Sequence, residues 1–251
     1  MAVASPVLSP RPAYPRLSSG EQRALLERVV ARCAHQPGDA PSWSGIAKGE
    51  ALRSGIAKGE PPPVVVFDLD GTLMDNRPRT CAILRELGEL WAVREPEVAR
   101  DLRGAHPGAL AYLLTDTLGL LGITRSDLVI EAQEYWHTRF FGDAHLVHDV
   151  ALAGAVPFAN DCYTAGATLV YLTGRDLPLM GLGTFRSLRD LGFPIGVPGT
   201  EVVLKPEFSM PDEAFKRDIA PRLARVGRVV ASFDNEPGNC NVFQEVYPDC
   251  E

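Results

Sequence analysis

Four consecutive apolar residues at 64–67 run directly into Asp68-Leu69-Asp70-Gly71. Three of the four are β-branched valines, and an uninterrupted run of this kind is typical of a strand buried on both faces of a parallel sheet. Because side chains alternate along a strand, Asp68 and Asp70 are expected on one face while Leu69 points into the core. Open α/β proteins form their crevices at the carboxyl edge of the sheet. This stretch therefore predicts both the fold class and the position of a functional site.

The composition is compatible with such a core and narrows the class of protein. The chain has 251 residues, of which 45% are hydrophobic and 23% are charged, as is ordinary for a globular protein. No basic run offsets the formal net charge of −7, so we expect no binding to nucleic acid. The sequence has no 18-residue apolar run and no signal-like start, and its five cysteines lack metal or disulfide spacing. We expect a cytoplasmic protein without a membrane span, and the sequence leaves the oligomeric state open.

Composition and periodicity divide the chain into three parts. Residues 1–63 hold a proline-rich arm, a helix that Ser18 or Ser19 can cap, and a glycine-rich linker that contains SGIAKGE twice. Residues 76–150 show apolar side chains at helical spacing and are expected to form a helical cap. Residues 64–75 and 151–251 alternate strands with helices. They are expected to form the α/β core, a three-layer Rossmannoid parallel sheet.

Polar groups follow three further predicted strands, which end at residues 172, 204 and 233. Parallel strands deliver their carboxyl ends to the same edge of a sheet, so these groups should lie near the first stretch. In chain order they are Thr173, Gly174 and Arg175, then Lys205, and finally Asp234.

The ordered set of motifs, from residue 64 to about residue 245, resembles that of the haloacid dehalogenase-like (HAD) superfamily. The first motif of that family is similar to DLDGTL at 68–73. The resemblance implies that Asp68 is a nucleophile that forms an aspartyl phosphate, and that Asp70 is a general acid and then a general base. A haloacid dehalogenase expels halide, which needs no proton. The presence of Asp70 therefore favours the phosphatase branch.

The same resemblance implies a magnesium site and a phosphate site. Mg²⁺ would be held by Asp68, the backbone carbonyl of Asp70 and Asp234, all of which offer the oxygen ligands it prefers. The fourth motif departs from the family pattern, because it lacks the usual second acid next to Asp234 or four to five residues beyond. The residues implied for phosphate binding are Thr173, Gly174, Arg175 and Lys205, and the further candidates for the metal are Glu236, Asn235 and Asn239.

These expectations describe a Mg²⁺-dependent phosphomonoester hydrolase that acts on a small phosphorylated organic substrate, and two alternatives stay open. Residues 172–194 are also similar to lipin-type phosphatidate phosphatases and to phosphatidylinositol-transfer proteins whose HAD-like domain no longer catalyses. The first alternative is therefore a module that binds a phospholipid or another phosphoester. The second is a relict or truncated HAD core that acts in protein interaction, since the sequence stops where such cores usually add another strand.

Overall fold

A computed structural model describes residues 17–34 and 61–251. The proline-rich arm and the duplicated SGIAKGE linker lie outside the described residues. The elements are, in chain order, α1 (Ser19–Cys33), β1 (Pro63–Phe67), β2 (Met74–Asp75), α2 (Arg77–Trp91), α3 (Pro96–Arg103), α4 (Leu114–Leu120), α5 (Ser126–Phe140), β3 (Val150–Ala151), α6 (Ala155–Thr164), β4 (Thr168–Asp176), α7 (Leu177–Leu191), β5 (Thr200–Lys205), α8 (Asp212–Ile219), β6 (Arg228–Phe233) and α9 (Pro237–Val246). Short 3-10 segments cover Pro107–Ala109, Asp143–His148 and Ala220–Arg225.

The central sheet has four parallel strands in the order β5-β4-β1-β6. Strand β1 is fully buried between β4 and β6, as its unbroken apolar run predicts. In the register, Phe67 lies beside Tyr171 on one side and Phe233 on the other, so β1 and β6 end level with one another while β4 continues to Asp176. At the outer side of the sheet, Glu251 hydrogen-bonds to the backbone of β6. The parallel sheet confirms the predicted α/β class.

Successive side chains of β1 pack alternately into two apolar layers, one on each face of the sheet. Val65 and Phe67 pack with buried residues of α1 and α6. Val64 and Val66 pack with buried residues of α8, α9 and the 3-10 segment between α8 and β6. Two layers of helices around one sheet give the three-layer arrangement, in which each face of the strand removes apolar surface from water.

The helices between β2 and β3 have an apolar cluster of their own. Its buried members include Leu84, Leu87, Trp91 and Leu118, all of which belong to residues 81–132. The two-residue strands β2 and β3 pair in antiparallel fashion, so the chain leaves and re-enters the sheet domain at the same place. The helical part therefore sits as a lobe beside the carboxyl edge of the sheet.

The sequence predicts several local features of this fold, and it misses others. Ser18 caps α1 through a reciprocal pair of hydrogen bonds with Glu21, and the helix already ends at Cys33. Helices α3 and α9 and the ribbon of β2 and β3 were not anticipated, because short elements give too few periods to recognise. None of the helices in residues 17–34 and 61–251 is long and apolar enough to span a bilayer.

Candidate active site at the carboxyl edge of the sheet

The first motif forms a tight loop after β1. Leu69 is fully buried in the core, whereas the side chains of Asp68 and Asp70 turn to the opposite side. Gly71 adopts a positive φ of 82°, and its N–H donates to the carbonyl of Met74 at 2.8 Å. A Cβ at Gly71 would lie 2.8 Å from the side-chain nitrogen of Asn235. Glycine is required here both for the backbone conformation and for the close approach of the loop after β6.

The ammonium of Lys216 lies between two carboxylates at the ends of neighbouring strands. Its Nζ donates to Asp68 at 2.7 Å and to Asp234 at 2.6 Å, and all three side chains are almost completely buried. Burial raises the pKa of Asp68 to about 7, and repulsion by Asp234 adds to this shift while Lys216 opposes it. Burial alone would lower the pKa of Lys216, but the two carboxylates outweigh that effect and raise it. In this trio of Asp68, Lys216 and Asp234, two carboxylates therefore share one ammonium.

Hydrogen bonds hold both carboxylates of this trio in place. The hydroxyl of Thr72 donates to the second oxygen of Asp68 at 3.2 Å. The Asp234 oxygen that Lys216 does not contact accepts from the backbone N–H of Glu236 at 2.9 Å and from the side chain of Asn239 at 3.1 Å. Asn239 therefore acts on Asp234, while the Glu236 carboxylate is engaged further out, where the Tyr112 hydroxyl donates to it at 3.2 Å.

Asp70 belongs to a separate, four-membered cluster of charges. Arg175 donates to its two oxygens at 2.7 and 2.8 Å, and Arg79 donates to it at 2.8 Å. Both arginines also donate to Asp149, at 2.7 to 2.8 Å, and the side chains of Arg79, Arg175 and Asp149 are at most 1% exposed. Burial opposes ionisation, yet Arg175 and Arg79 outweigh it and hold the pKa of Asp70 well below its usual range. Asp70 is therefore kept as a carboxylate.

Lys205 and Arg175, both predicted to bind phosphate, donate their hydrogen bonds to carbonyls and carboxylates of the protein. Lys205 donates to Asp212 at 2.7 Å and to the carbonyls of Met210 and Phe208 at 2.9 and 3.3 Å, so its ammonium closes the loop that precedes α8. Arg175 is committed to the carboxylates of the charged cluster. The structure does not bring Lys205 to Asp68, because the three donors of its ammonium are already used by this loop.

Thr173 and Gly174 lie at the end of β4, as predicted. The Thr173 hydroxyl is buried and accepts from the backbone N–H of Arg175 at 3.2 Å. A Cβ at Gly174 would come within 2.1 Å of the Asp212 carboxylate, so glycine lets β4 approach the first turn of α8. This close approach positions α8, which carries Lys216 on its buried side.

Sequence reasoning missed Lys216, Arg79 and Asp149. Lys216 stands inside a predicted helix rather than after a strand, and Arg217 beside it offers an equally plausible surface charge. The sequence feature that could have identified Lys216 is its position directly after the apolar Phe215. Both residues belong to the helix before the strand that leads to Asp234. Arg79 and Asp149 are 70 residues apart, and no local pattern in the sequence connects them.

The donor set at the trio fits a hard divalent cation. Among the described residues, no cluster of three or more His, Cys, Asp or Glu side chains is arranged to hold a metal. The carboxylates of Asp68 and Asp234 are nonetheless close enough to share one ammonium, and their mutual repulsion contributes to the raised pKa of Asp68. Together with the backbone carbonyl of Asp70 they offer only oxygen, which suits Mg²⁺. The residues present are compatible with this ion.

A cleft of about 450 Å³ opens beside Asp70 and Gly71, between the sheet edge and the helical lobe. One side is formed by the first-motif loop, the start of α2 and Asn235. The other side comes from the segment before α4 and from the inner face of α5. Clefts of this volume accommodate small molecules.

Comparison with known proteins gave structural relatives but no match to a family model and none to a curated protein sequence. The chain resembles a putative phosphatase from Clostridium difficile, with 16% identity and a TM-score of 0.48 over 73% of this chain and 80% of that one. It also resembles a HAD-superfamily hydrolase of subfamily IA from Geobacter sulfurreducens, with 15% identity and a TM-score of 0.47 over 74% and 83%. Protein tyrosine kinase A from Mycobacterium tuberculosis is 23% identical, with a TM-score of 0.39 over 69% and 75%.

At such identities, a shared fold does not determine a shared reaction. The fold itself follows from features already described: the sheet order β5-β4-β1-β6, the four motifs in chain order at its carboxyl edge, and a helical lobe inserted after the first motif. With this topology and these motifs, the chain has a HAD-like fold.

Proposed function

We propose that this chain is a Mg²⁺-dependent phosphomonoester hydrolase that acts on a small organic phosphate through an aspartyl phosphate on Asp68. The observation that carries this proposal is the trio of Asp68, Lys216 and Asp234 at the ends of β1 and β6. It combines a carboxylate nucleophile, a buried cation and a second acid at one point of the sheet edge. Phosphoryl transfer needs mainly such positioning and charge neutralisation.

In the first step, a carboxylate oxygen of Asp68 attacks the phosphorus atom. The bond between phosphorus and the leaving oxygen breaks, and the electron pair goes to that oxygen, which takes up a proton from water because Arg79 and Arg175 keep Asp70 ionised. Thr72 orients the Asp68 carboxylate, and Lys216 neutralises charge beside it. Mg²⁺, held by Asp68, Asp234 and the Asp70 carbonyl, would supply further stabilisation of charge on the phosphoryl oxygens.

In the second step, water attacks the phosphorus atom of the aspartyl phosphate, and the Asp68 carboxylate is released. A proton leaves the attacking water, and Asp70 is the candidate base because Arg79 and Arg175 favour its ionised form. The same arginines oppose protonation of Asp70, so they keep it available as a carboxylate but lower its strength as a base, and they leave it little proton to give as an acid. Phosphate binding, predicted for Lys205, is assigned in this proposal to Lys216.

The test is hydrolysis of a panel of phosphomonoesters by the purified full chain, with Mg²⁺ and with a chelator in its place. Asp68→Asn should reduce turnover to background while leaving the thermal unfolding cooperative. Asp190→Asn is the matched control, since Asp190 is exposed and pairs only with the neighbouring Arg189. Mg²⁺-dependent turnover in the Asp68→Asn variant would remove Asp68 from the mechanism.

A second variant tests the covalent intermediate directly. Asp70→Asn should slow hydrolysis by roughly 10² to 10⁴-fold, and phosphoenzyme on Asp68 should accumulate because water attack has lost its base. Mass spectrometry after a pulse of substrate measures this accumulation. Slowed turnover without a trapped phosphoenzyme would contradict a two-step mechanism with Asp70 as the base.

A phosphoester-binding module is the second candidate, and the charged cluster favours it. Arg79 and Arg175 engage both oxygens of Asp70, which restrains the group that has to exchange protons during hydrolysis. A binding module would retain phosphoesters at the trio and release them intact. Calorimetric binding of an ester that is recovered unhydrolysed after prolonged incubation with Mg²⁺ would support this alternative and contradict the hydrolase.

A further inference from the structure

The walls of the cleft beside Asp70 differ in chemistry along its length. Near the sheet edge they are polar, with Asp70, Asn76 and Asn235. On the side of the helical lobe the walls are more apolar, and Thr80, Tyr112 and Thr117 also line them. The apolar members there are Leu110, Ala111, Leu114, Trp136 and Phe140. A ligand whose phosphoryl group lies at the polar end would therefore place the rest of its body against apolar surface.

The aromatic part of this wall is held firmly. Trp136 and Phe140 stack with ring centroids 4.4 Å apart, and the Trp136 Nε1–H donates to the Thr80 hydroxyl at 3.1 Å. Phe140 also contacts the guanidinium of Arg79, which lies 4.3 Å from its ring centroid. Because Arg79 also holds Asp70, the aromatic wall and the polar end of the cleft are fixed relative to each other.

The described residues that line the cleft offer no unpaired cation to an anionic ligand body. Within the described part of the chain, Arg77 is the one cationic side chain that lines the cleft, and Asp75 already pairs with it through two side-chain hydrogen bonds at 2.7 and 2.8 Å. Asp70 is neutralised by Arg79 and Arg175. A second phosphate or a carboxylate on the ligand would meet no unpaired cation among these lining residues.

We propose that this cleft selects phosphomonoesters whose leaving group is compact, uncharged and apolar, and that an aromatic ring fits it best. The proposal rests on the proposed function, because it places the phosphoryl group at the sheet edge, where Asp70 and Asn235 line the cleft close in the chain to Asp68 and Asp234. Burial of a ring against Trp136, Phe140 and Leu114 supplies favourable transfer free energy, whereas a polyhydroxylated or anionic group placed against these side chains would lose hydration without gaining partners from them.

Wild-type protein provides the first test. Benzyl phosphate and 4-carboxybenzyl phosphate share the same kind of leaving oxygen and differ in one added carboxylate, and glycerol 3-phosphate supplies a polar comparison. We expect kcat/KM for benzyl phosphate to exceed each of the other two by at least about 30-fold, as burial of several apolar carbons allows. Equal values for the three esters would overturn the proposal.

A charge placed in the wall provides the second test. Leu114→Lys puts an ammonium beside the ligand body and should reduce the ratio of benzyl to 4-carboxybenzyl phosphate at least tenfold. Ala111→Lys serves the same purpose if the first variant loses its cooperative unfolding. Leu182→Lys is the matched control, because Leu182 is 71% exposed on α7 and does not line the cleft. A similar change of the ratio in the control, or none in the wall variants, would contradict the assignment.

Binding of ligands that cannot be hydrolysed tests the selectivity of the cleft separately from the hydrolase activity. Benzylphosphonate and methylphosphonate cannot be hydrolysed, and calorimetry with Mg²⁺ measures their dissociation constants in the wild-type chain. Tighter binding of benzylphosphonate by at least 30-fold, with no turnover of any ester, would refute the hydrolase and support the selectivity of the cleft. Equal binding of the two phosphonates would refute the selectivity whether or not the esters are hydrolysed.

Discussion

Removal of the Asp149 charge should strongly destabilise the fold. Asp149 accepts from Arg79 at 2.8 and 2.7 Å and from Arg175 at 2.7 Å, and its side chain is fully buried. Asp149→Asn leaves two buried guanidinium groups with only Asp70 as a counter-charge. Breaking a buried pair in this way costs roughly 3–5 kcal/mol, and we expect about 3 kcal/mol because asparagine keeps one acceptor oxygen.

Urea denaturation of the full chain measures this loss. With a slope of about 3 kcal/mol per molar urea, a loss of about 3 kcal/mol moves the midpoint down by about 1 M. Asp190→Asn is the control for the same chemical change at an exposed pair, and it should leave the urea midpoint nearly unchanged. An Asp149→Asn midpoint within 0.3 M (roughly 1 kcal/mol at this slope) of the control would refute the reasoning.

A double-mutant cycle checks that charge balance is the cause. Arg79→Met removes one guanidinium while keeping a long side chain against Phe140. In the Asp149→Asn background it leaves Arg175 paired with Asp70, which restores neutrality. The double variant should lose at least about 1 kcal/mol less than the sum of the two single variants, as expected for residues in direct contact. Simple additivity would mean that the cluster acts through packing rather than charge.

Three further predictions concern the trio and its support. Lys216→Met leaves Asp68 and Asp234 facing each other, so Mg²⁺ should raise the melting temperature of this variant more than that of the wild type; no increase in either protein by calorimetry would contradict a cation site. Because burial raises the pKa of Asp68 from its ordinary value near 4 to about 7, the folded state binds the extra proton, and this group lowers stability as pH rises through that interval. Asp68→Asn should therefore gain stability relative to wild type between pH 5 and pH 8, measured as urea midpoints, and a constant difference would argue against the raised pKa. Gly174→Ala should cost about 1–3 kcal/mol in urea denaturation, because its Cβ would clash with the Asp212 carboxylate that pairs with Lys205, and a neutral effect would show that the exposed Asp212 side chain turns aside.

The sequence by itself determined the sheet and the position of the acidic groups. The apolar run before Asp68 required a doubly buried strand, and the similar run at 228–233 required a second one ending at Asp234. Parallel strands bring their carboxyl ends to one edge, so the proximity of these two acids followed from local pattern alone. The inward direction of Leu69 followed from the two-residue period of a strand.

Only the tertiary structure decided which basic groups meet these acids. Lys205 lies at the end of a strand, as expected, but its ammonium donates to Asp212, which follows the next loop. Lys216 reaches Asp68 because α8 packs against the sheet, and Arg79 reaches Asp70 because the helical lobe folds back on the sheet edge. Such contacts join residues far apart in the chain. Their partners depend on how separate elements pack, and local periodicity carries no information about that packing.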